Sequence, residues 1–346
     1  MVTFIFLFSC QQGQDKKPTV EETQVESSQN SENEISDSIR AKLEQVNSAI
    51  RQNVNKAGLY LDRALLYSSV GDYGSAIADV ERAKAIDSTS AEVYLTASKV
   101  YFQSGDIGMV NKSLEKGLKF NPESPDLLVE LSQLFLYVRN NKKSMEYADL
   151  AIKYDIYNPK AYYLKGFNFL EMRDTSKAIS SFQTAVEQDP EYLDAYLQLG
   201  LIYTQLNNPL ALDYVENVLE IDPDHKEALY TYAMYAQTHD MYNEAIQTYT
   251  KLTKIYPDFR EAHYNLGYIH MYYLQLYRQA TIYFSDAIAV DPNYYQAYYN
   301  LGYSYELMGD IQNAEEEYRA ALQVRPDYDL AAKGLTRIEE LRNMDI

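Results

Sequence analysis

The chain has 346 residues, 46% of them hydrophobic, and a formal net charge of -19. The apolar content is ample for a sizeable core, while the negative charge repels nucleic-acid phosphates and anionic lipid headgroups before any local contact forms. A single cysteine, Cys10, excludes an internal disulfide and a multi-thiolate metal site.

From the N-terminus, residues 2 to 8 (Val-Thr-Phe-Ile-Phe-Leu-Phe) form an apolar run too short to span a bilayer. The run reads as the hydrophobic region of a signal peptide over residues 1–10. Its last part, Leu7-Phe8-Ser9-Cys10, resembles a bacterial lipobox. That resemblance implies a lipid on Cys10 as the only link to a membrane. Gln11 after the cysteine implies outer-membrane rather than inner-membrane sorting in a bacterial envelope. Residues 11–37 are rich in Gln, Glu, Ser and Asn, bury too little surface to offset their ordering entropy, and are expected to be a disordered tether. Beyond them Ile39, Leu43, Val46 and Ile50 recur at helical spacing, which predicts an N-terminal capping helix over 38–56.

From residue 57 to 328 the chain aligns with itself at a spacing of 34 residues. The repeats run 57–90, 91–124, 125–158, 159–192, 193–225, 226–259, 260–294 and 295–328, the fifth one residue short and the seventh one long. Position eight is always small: Ala64, Ser98, Ser132, Gly166, Gly200, Ala233, Gly267 and Gly302. Position 27 is Ala in five repeats, with Gly117, Val218 and Leu252 as exceptions. Pro122, Pro190, Pro223, Pro257, Pro292 and Pro326 fall at position 32, where a missing N–H and a restricted preceding residue stop a helix. Gly71-Asp72, Gly105-Asp106 and Gly309-Asp310 mark tight turns within repeats.

These columns resemble the tetratricopeptide repeat (TPR). The resemblance implies an all-α fold, a right-handed α-solenoid superhelix of eight helix-turn-helix hairpins, and a non-enzymatic protein that binds a polypeptide segment in its concave groove. One hairpin cannot bury its apolar stripe alone; stacked hairpins share a core. Residues 329–346 read as a C-terminal capping helix, with Leu335 and Ile338 inward and Arg337, Glu339, Glu340 and Arg342 outward.

No catalytic constellation, phosphate loop or zinc spacing is present, so neither a cofactor nor a metal is expected. The histidines His263 and His270 are seven residues apart, two helical turns, too far to share one ion unaided; both read as packed core residues. In tetratricopeptide proteins positions two, five, six, nine, twelve and thirteen of the first helix line the groove. Here they include Tyr163, Phe167, Tyr230, Met234, Tyr264, Tyr268, Met271, Tyr272, Tyr299 and Tyr303, an apolar lining that is either a ligand surface or packing between successive first helices.

The pentads Tyr264-Asn265-Leu266-Gly267-Tyr268 and Tyr299-Asn300-Leu301-Gly302-Tyr303 are identical. By analogy with peptide-binding members of the family, Asn265 and Asn300 would pair with a peptide backbone through donor and acceptor, and Tyr230, Tyr264, Tyr268, Tyr299 and Tyr303 would flank it. Glu227, Glu261 and Glu306 favour a neutral or basic segment as partner. The alternative reading is a carbohydrate-binding envelope lipoprotein whose tyrosine faces stack on sugar rings.

Overall fold

A computed structural model describes residues 25–344. The signal-like run, Cys10 and the first part of the expected tether lie outside the described residues. Among those described, every regular element is a helix, and none is long and apolar enough to cross a membrane. The chain forms two compact units, divided between Glu130 and Leu131.

The first unit holds α1 (Val25–Gln52), α2 (Ala57–Ser69), α3 (Tyr73–Ile86), α4 (Ala91–Gln103), α5 (Ile107–Phe120) and the start of α6 (Pro125–Tyr137). Helix α1 lays Val46 and Ile50 against Tyr60 and Leu61 of α2. Arg63 ties the helices together, donating to both Asp79 oxygens at 2.6 and 2.7 Å and to Asn47 Oδ1 at 2.6 Å. The helix begins at Val25, within the stretch whose composition predicts disorder. Residues 25–37 cannot bury a core of their own, but lengthening an existing helix adds one bond per residue without repeating the cost of nucleation.

The second unit continues through α7 (Asn141–Tyr154), α8 (Pro159–Glu171), α9 (Thr175–Gln188), α10 (Leu193–Gln205), α11 (Leu210–Ile221), α12 (Lys226–Thr238) and α13 (Tyr242–Ile255). It ends with α14 (Arg260–Tyr268), α15 (Tyr277–Val290), α16 (Tyr295–Leu307), α17 (Ile311–Val324) and α18 (Asp329–Met344). From α8 onward each first helix packs on its second helix, and from α7 onward each second helix packs on the next first helix. The small column has its cause in this packing. A Cβ on Gly267 would stand 2.7 Å from the Phe284 ring, and one on Gly166 2.5 Å from the Phe182 ring. The aromatic side chain of the second helix thus lies directly on the backbone of the first.

Four features recur at fixed positions. The turn inside each hairpin carries one residue in the left-handed region: Gly71, Gly105 and Gly309, but also Arg139, Arg173, Asn207, Asp240 and Gln275, with φ between 52° and 82°. After it comes a side-chain cap in most hairpins; Asp72, Asp106, Asn140, Asp174 and Asp310 each accept the backbone N–H three residues on. Between hairpins, Asp155, Asp189, Asp222 and Asp291 accept the N–H two residues on, closing Asx turns. The side chain at position four of the first helix reaches back to the carbonyl six residues earlier: Tyr60 to Val54, Tyr94 to Ser88, Tyr162 to Ile156. His263 takes the same place through Nε2 and the Pro257 carbonyl at 3.0 Å. This explains a histidine in a tyrosine column.

The extra residue of the seventh repeat is absorbed in the helix itself. After Tyr268 the chain makes a π-helical turn, Ile269–Tyr273, in which Leu274 N–H bonds the Ile269 carbonyl at 3.1 Å. His270 is buried there, its ring beside Tyr283 and its Nδ1 2.7 Å from the Leu266 carbonyl.

Candidate functional site

The tyrosine columns of the last three hairpins meet on one face of the second unit. Position five of the first helix and the last position of the repeat form a recurring aromatic pair: Tyr163 with Tyr192, Tyr230 with Phe259, Tyr264 with Tyr294, and Tyr299 with Tyr328, at centroid separations of 5.0 to 5.7 Å. Each pair joins one hairpin to the residue that opens the next. The first helices are therefore stitched together by rings, and part of every position-five tyrosine is spent on packing. The last-position aromatics were open to detection in sequence as a column at the 34-residue spacing.

All seven residues expected at the binding face come together. Tyr264 and Tyr268 lie 6.4 Å apart, Tyr268 and Tyr272 4.4 Å, Tyr272 and Tyr303 6.3 Å, and Tyr303 and Tyr299 6.1 Å with their planes only 7° apart. Tyr230 joins through Asn265. The two asparagines, however, are engaged within the protein. Asn265 Nδ2 donates to the Tyr249 hydroxyl at 3.0 Å and, over a long 3.4 Å, to that of Tyr230. Asn300 is buried and donates to the Tyr264 hydroxyl at 2.8 Å. Both amides thus bridge neighbouring hairpins. A ligand backbone would compete with a tyrosine for them.

The outer rim differs from the inner part. Tyr272 is 43% exposed, as is Tyr273, whereas Met271 is buried and receives the Ser304 hydroxyl on its sulfur. Met271 is therefore a core residue and not part of the lining. Tyr163 and Phe167 likewise pack on Phe182. Burial pushes the Tyr264 phenol well up and that of Tyr272 up to about 12, so both are protonated donors at neutral pH.

Arg337 was expected to face outward, yet it lies half-buried against this face. Its Nε and Nη2 donate to the two oxygens of Glu306, each at 2.8 Å, and its guanidinium stands 5.6 Å from the Tyr303 ring centre. Tyr318 donates to the same carboxylate at 2.5 Å. Burial pushes the Glu306 carboxyl up, but the bonds from Arg337 and Tyr318 outweigh it and hold the group below its ordinary value. Glu261 is paired with Arg260 at 2.9 Å. Of the three carboxylates expected to attract a basic segment, Glu227 alone has only a histidine, His225, as its ion-pair partner, 3.5 Å away. Among the described residues no group of His, Cys, Asp and Glu is arranged to hold a metal ion.

No curated protein matches the sequence. Tetratricopeptide repeat family models match residues 57–90, 163–225, 227–258 and 295–328. Among solved structures, the fold is similar to that in the APC/C hetero-tetramer Cut9-Hcn1, at 18% identity over 88% of this chain with a TM-score of 0.56; this chain covers 59% of that one. It is similar to a tetratricopeptide repeat protein from Parabacteroides merdae, at 16% identity over 72% of this chain and 98% of that one, TM-score 0.50. It is also similar to pilF of Pseudomonas aeruginosa, at 15% identity over 58% of this chain and 92% of that one, TM-score 0.51. At these identities the likeness is one of fold. With the repeat matches, the 34-residue columns and the stacked hairpins in agreement, the chain belongs to the tetratricopeptide repeat family.

Proposed function

We propose that the protein is a non-enzymatic scaffold that binds a polypeptide segment across the tyrosine face of its last three hairpins, tethered through lipid on Cys10 to the outer membrane of a bacterial envelope. The observation that carries the binding reading is the run Tyr268, Tyr272, Tyr303 and Tyr299, four rings in sequence that end on a nearly parallel pair and include one ring 43% exposed. Large aromatic surface held in place from behind, with little left to order on binding, is what a peptide-binding hot spot requires. The Arg337–Glu306 and Arg260–Glu261 pairs leave little net charge beside it, which favours a neutral segment over a basic one. The tether reading is supported by Leu7-Phe8-Ser9-Cys10 alone.

The test is a peptide array probed with the full chain and with a Tyr299→Ala, Tyr303→Ala variant of matching circular dichroism. Peptides held by the first and lost by the second are the expected result. Peptides held equally by both place the site elsewhere.

A further inference from the structure

We infer that the segment bound on this face is proline-rich and lies in the polyproline II conformation. The inference rests on the peptide-binding reading above and deepens it. It begins from the hydrogen-bond groups the face has left to offer. The Asn265 and Asn300 amides, the groups suited to pairing with both N–H and C=O of an extended strand, already donate to Tyr249 and Tyr264. What remains toward solvent is ring surface and phenol. The hydroxyls of Tyr268, Tyr272 and Tyr303 make no hydrogen bond among the described residues.

A phenol donates readily to a peptide carbonyl and is a poorer match for a row of N–H groups. An ordinary extended segment laid on this face would bury backbone N–H groups opposite rings, with only a few scattered phenol and amide oxygens to receive them. Proline has no N–H, so a proline-rich segment leaves none unpaired, and its outward carbonyls meet the phenols. Its pyrrolidine rings are flat, apolar and neutral. They fit against the near-parallel rings of Tyr299 and Tyr303 and a site whose carboxylates Glu261 and Glu306 are already matched by arginines. Polyproline II is also extended before binding, so little further ordering opposes its capture by rings that are fixed from behind by Tyr318 and Phe284.

The experiment titrates the full chain against three labelled probes by fluorescence anisotropy: a ten-residue oligoproline, a ten-residue Gly-Ser peptide, and a linear glucose hexasaccharide. Saturable oligoproline binding at least ten-fold tighter than the other two is the expected result. Tyr303→Ala should weaken it at least ten-fold. Tyr272→Ala, at an exposed ring whose loss leaves the core intact, should weaken it three-fold or more. Tyr268→Phe should weaken it while keeping the ring, because a donor to the carbonyls is gone.

If oligoproline fails to bind while a proline-free peptide from the array binds and is lost in the tyrosine variants, the proline inference falls and the binding reading stands. If no peptide binds through these tyrosines, both fall. Preferential binding of the hexasaccharide overturns both in favour of a glycan ligand.

Discussion

Arg337 in the last helix grips both carboxylate oxygens of Glu306 in the preceding hairpin, and the Tyr318 hydroxyl closes on the same group. The last helix therefore holds the tyrosine face in shape as well as covering the end of the stack. Replacing Arg337 with Met should leave a largely buried carboxylate without its cation and cost about 1 to 3 kcal/mol, with Arg337→Lys intermediate because it supplies only one direction of charge. Urea denaturation at pH 7 measures both. Equal stability of wild type and the Met variant would show the pair to be without weight.

Gly267 lies against the Phe284 ring with no room for a Cβ. Gly267→Leu should lower stability by about 1 to 3 kcal/mol or more through overpacking. Gly267→Ala with Phe284→Leu should recover part of the loss, because the smaller partner frees the space the methyl takes. Thermal melts of the three chains decide it, and failure of the second change to rescue would place the strain elsewhere.

Arg173 and Gln275 sit in the left-handed region, with φ of 60° and 55°, at the turn where Gly71, Gly105 and Gly309 are found in other hairpins. Replacing either by Gly should raise stability by about 0.5 to 1 kcal/mol, the strain of a side chain there less the entropy glycine loses on folding. A rise in melting temperature is the readout.

Glu317 has its carboxyl pushed up to about 7 by burial and by the neighbouring Glu316. A raised carboxyl binds its proton more tightly in the folded protein, so its favourable contribution is complete below pH 4.5 and disappears as pH rises through 7. Glu317→Gln should thus stabilise the protein at pH 8, on the order of 1 kcal/mol after screening at this partly exposed site, and leave it unchanged near pH 4. The caps behave oppositely. Asp72 and Asp174, lowered by hydrogen bonds from Ser75 and Lys177, contribute above about pH 4 and lose that contribution as pH falls through their lowered values.

Cys10→Ala, in a bacterium that expresses the chain with its own N-terminus, should move the protein from the membrane fraction to the soluble one. Intact mass supplies the check: retention of residues 1–9 without an acyl mass would overturn the lipid tether.

The hairpins were legible because their causes are local and periodic. Gly267 and Gly302 recur where a ring must lie on backbone, and Pro257 and Pro292 recur where a helix must stop. The roles of individual site residues were less so. Asn265 and Asn300 occupy equivalent positions, but what they bond to, Tyr249 and Tyr264, depends on the register between helices 16 and 36 residues apart in sequence. Arg337 reads as one charge among several on a polar helix, and only the position of Glu306 on the neighbouring hairpin draws it inward. The left-handed Arg139 and Arg173 carry no compositional mark at all, since the turn geometry is imposed by the helices it connects.

The π-helical turn at Ile269–Tyr273 also has an evolutionary reading. By taking up a surplus residue within a single turn, it lets the eighth hairpin resume the common register, as its Gly302–Tyr318 contact shows. An insertion is quarantined where it arose. Such an array tolerates small length errors in one module without rewriting the next, and the surplus is left at the rim of the module, where Tyr272 and Tyr273 are half-exposed and packed on neighbouring rings.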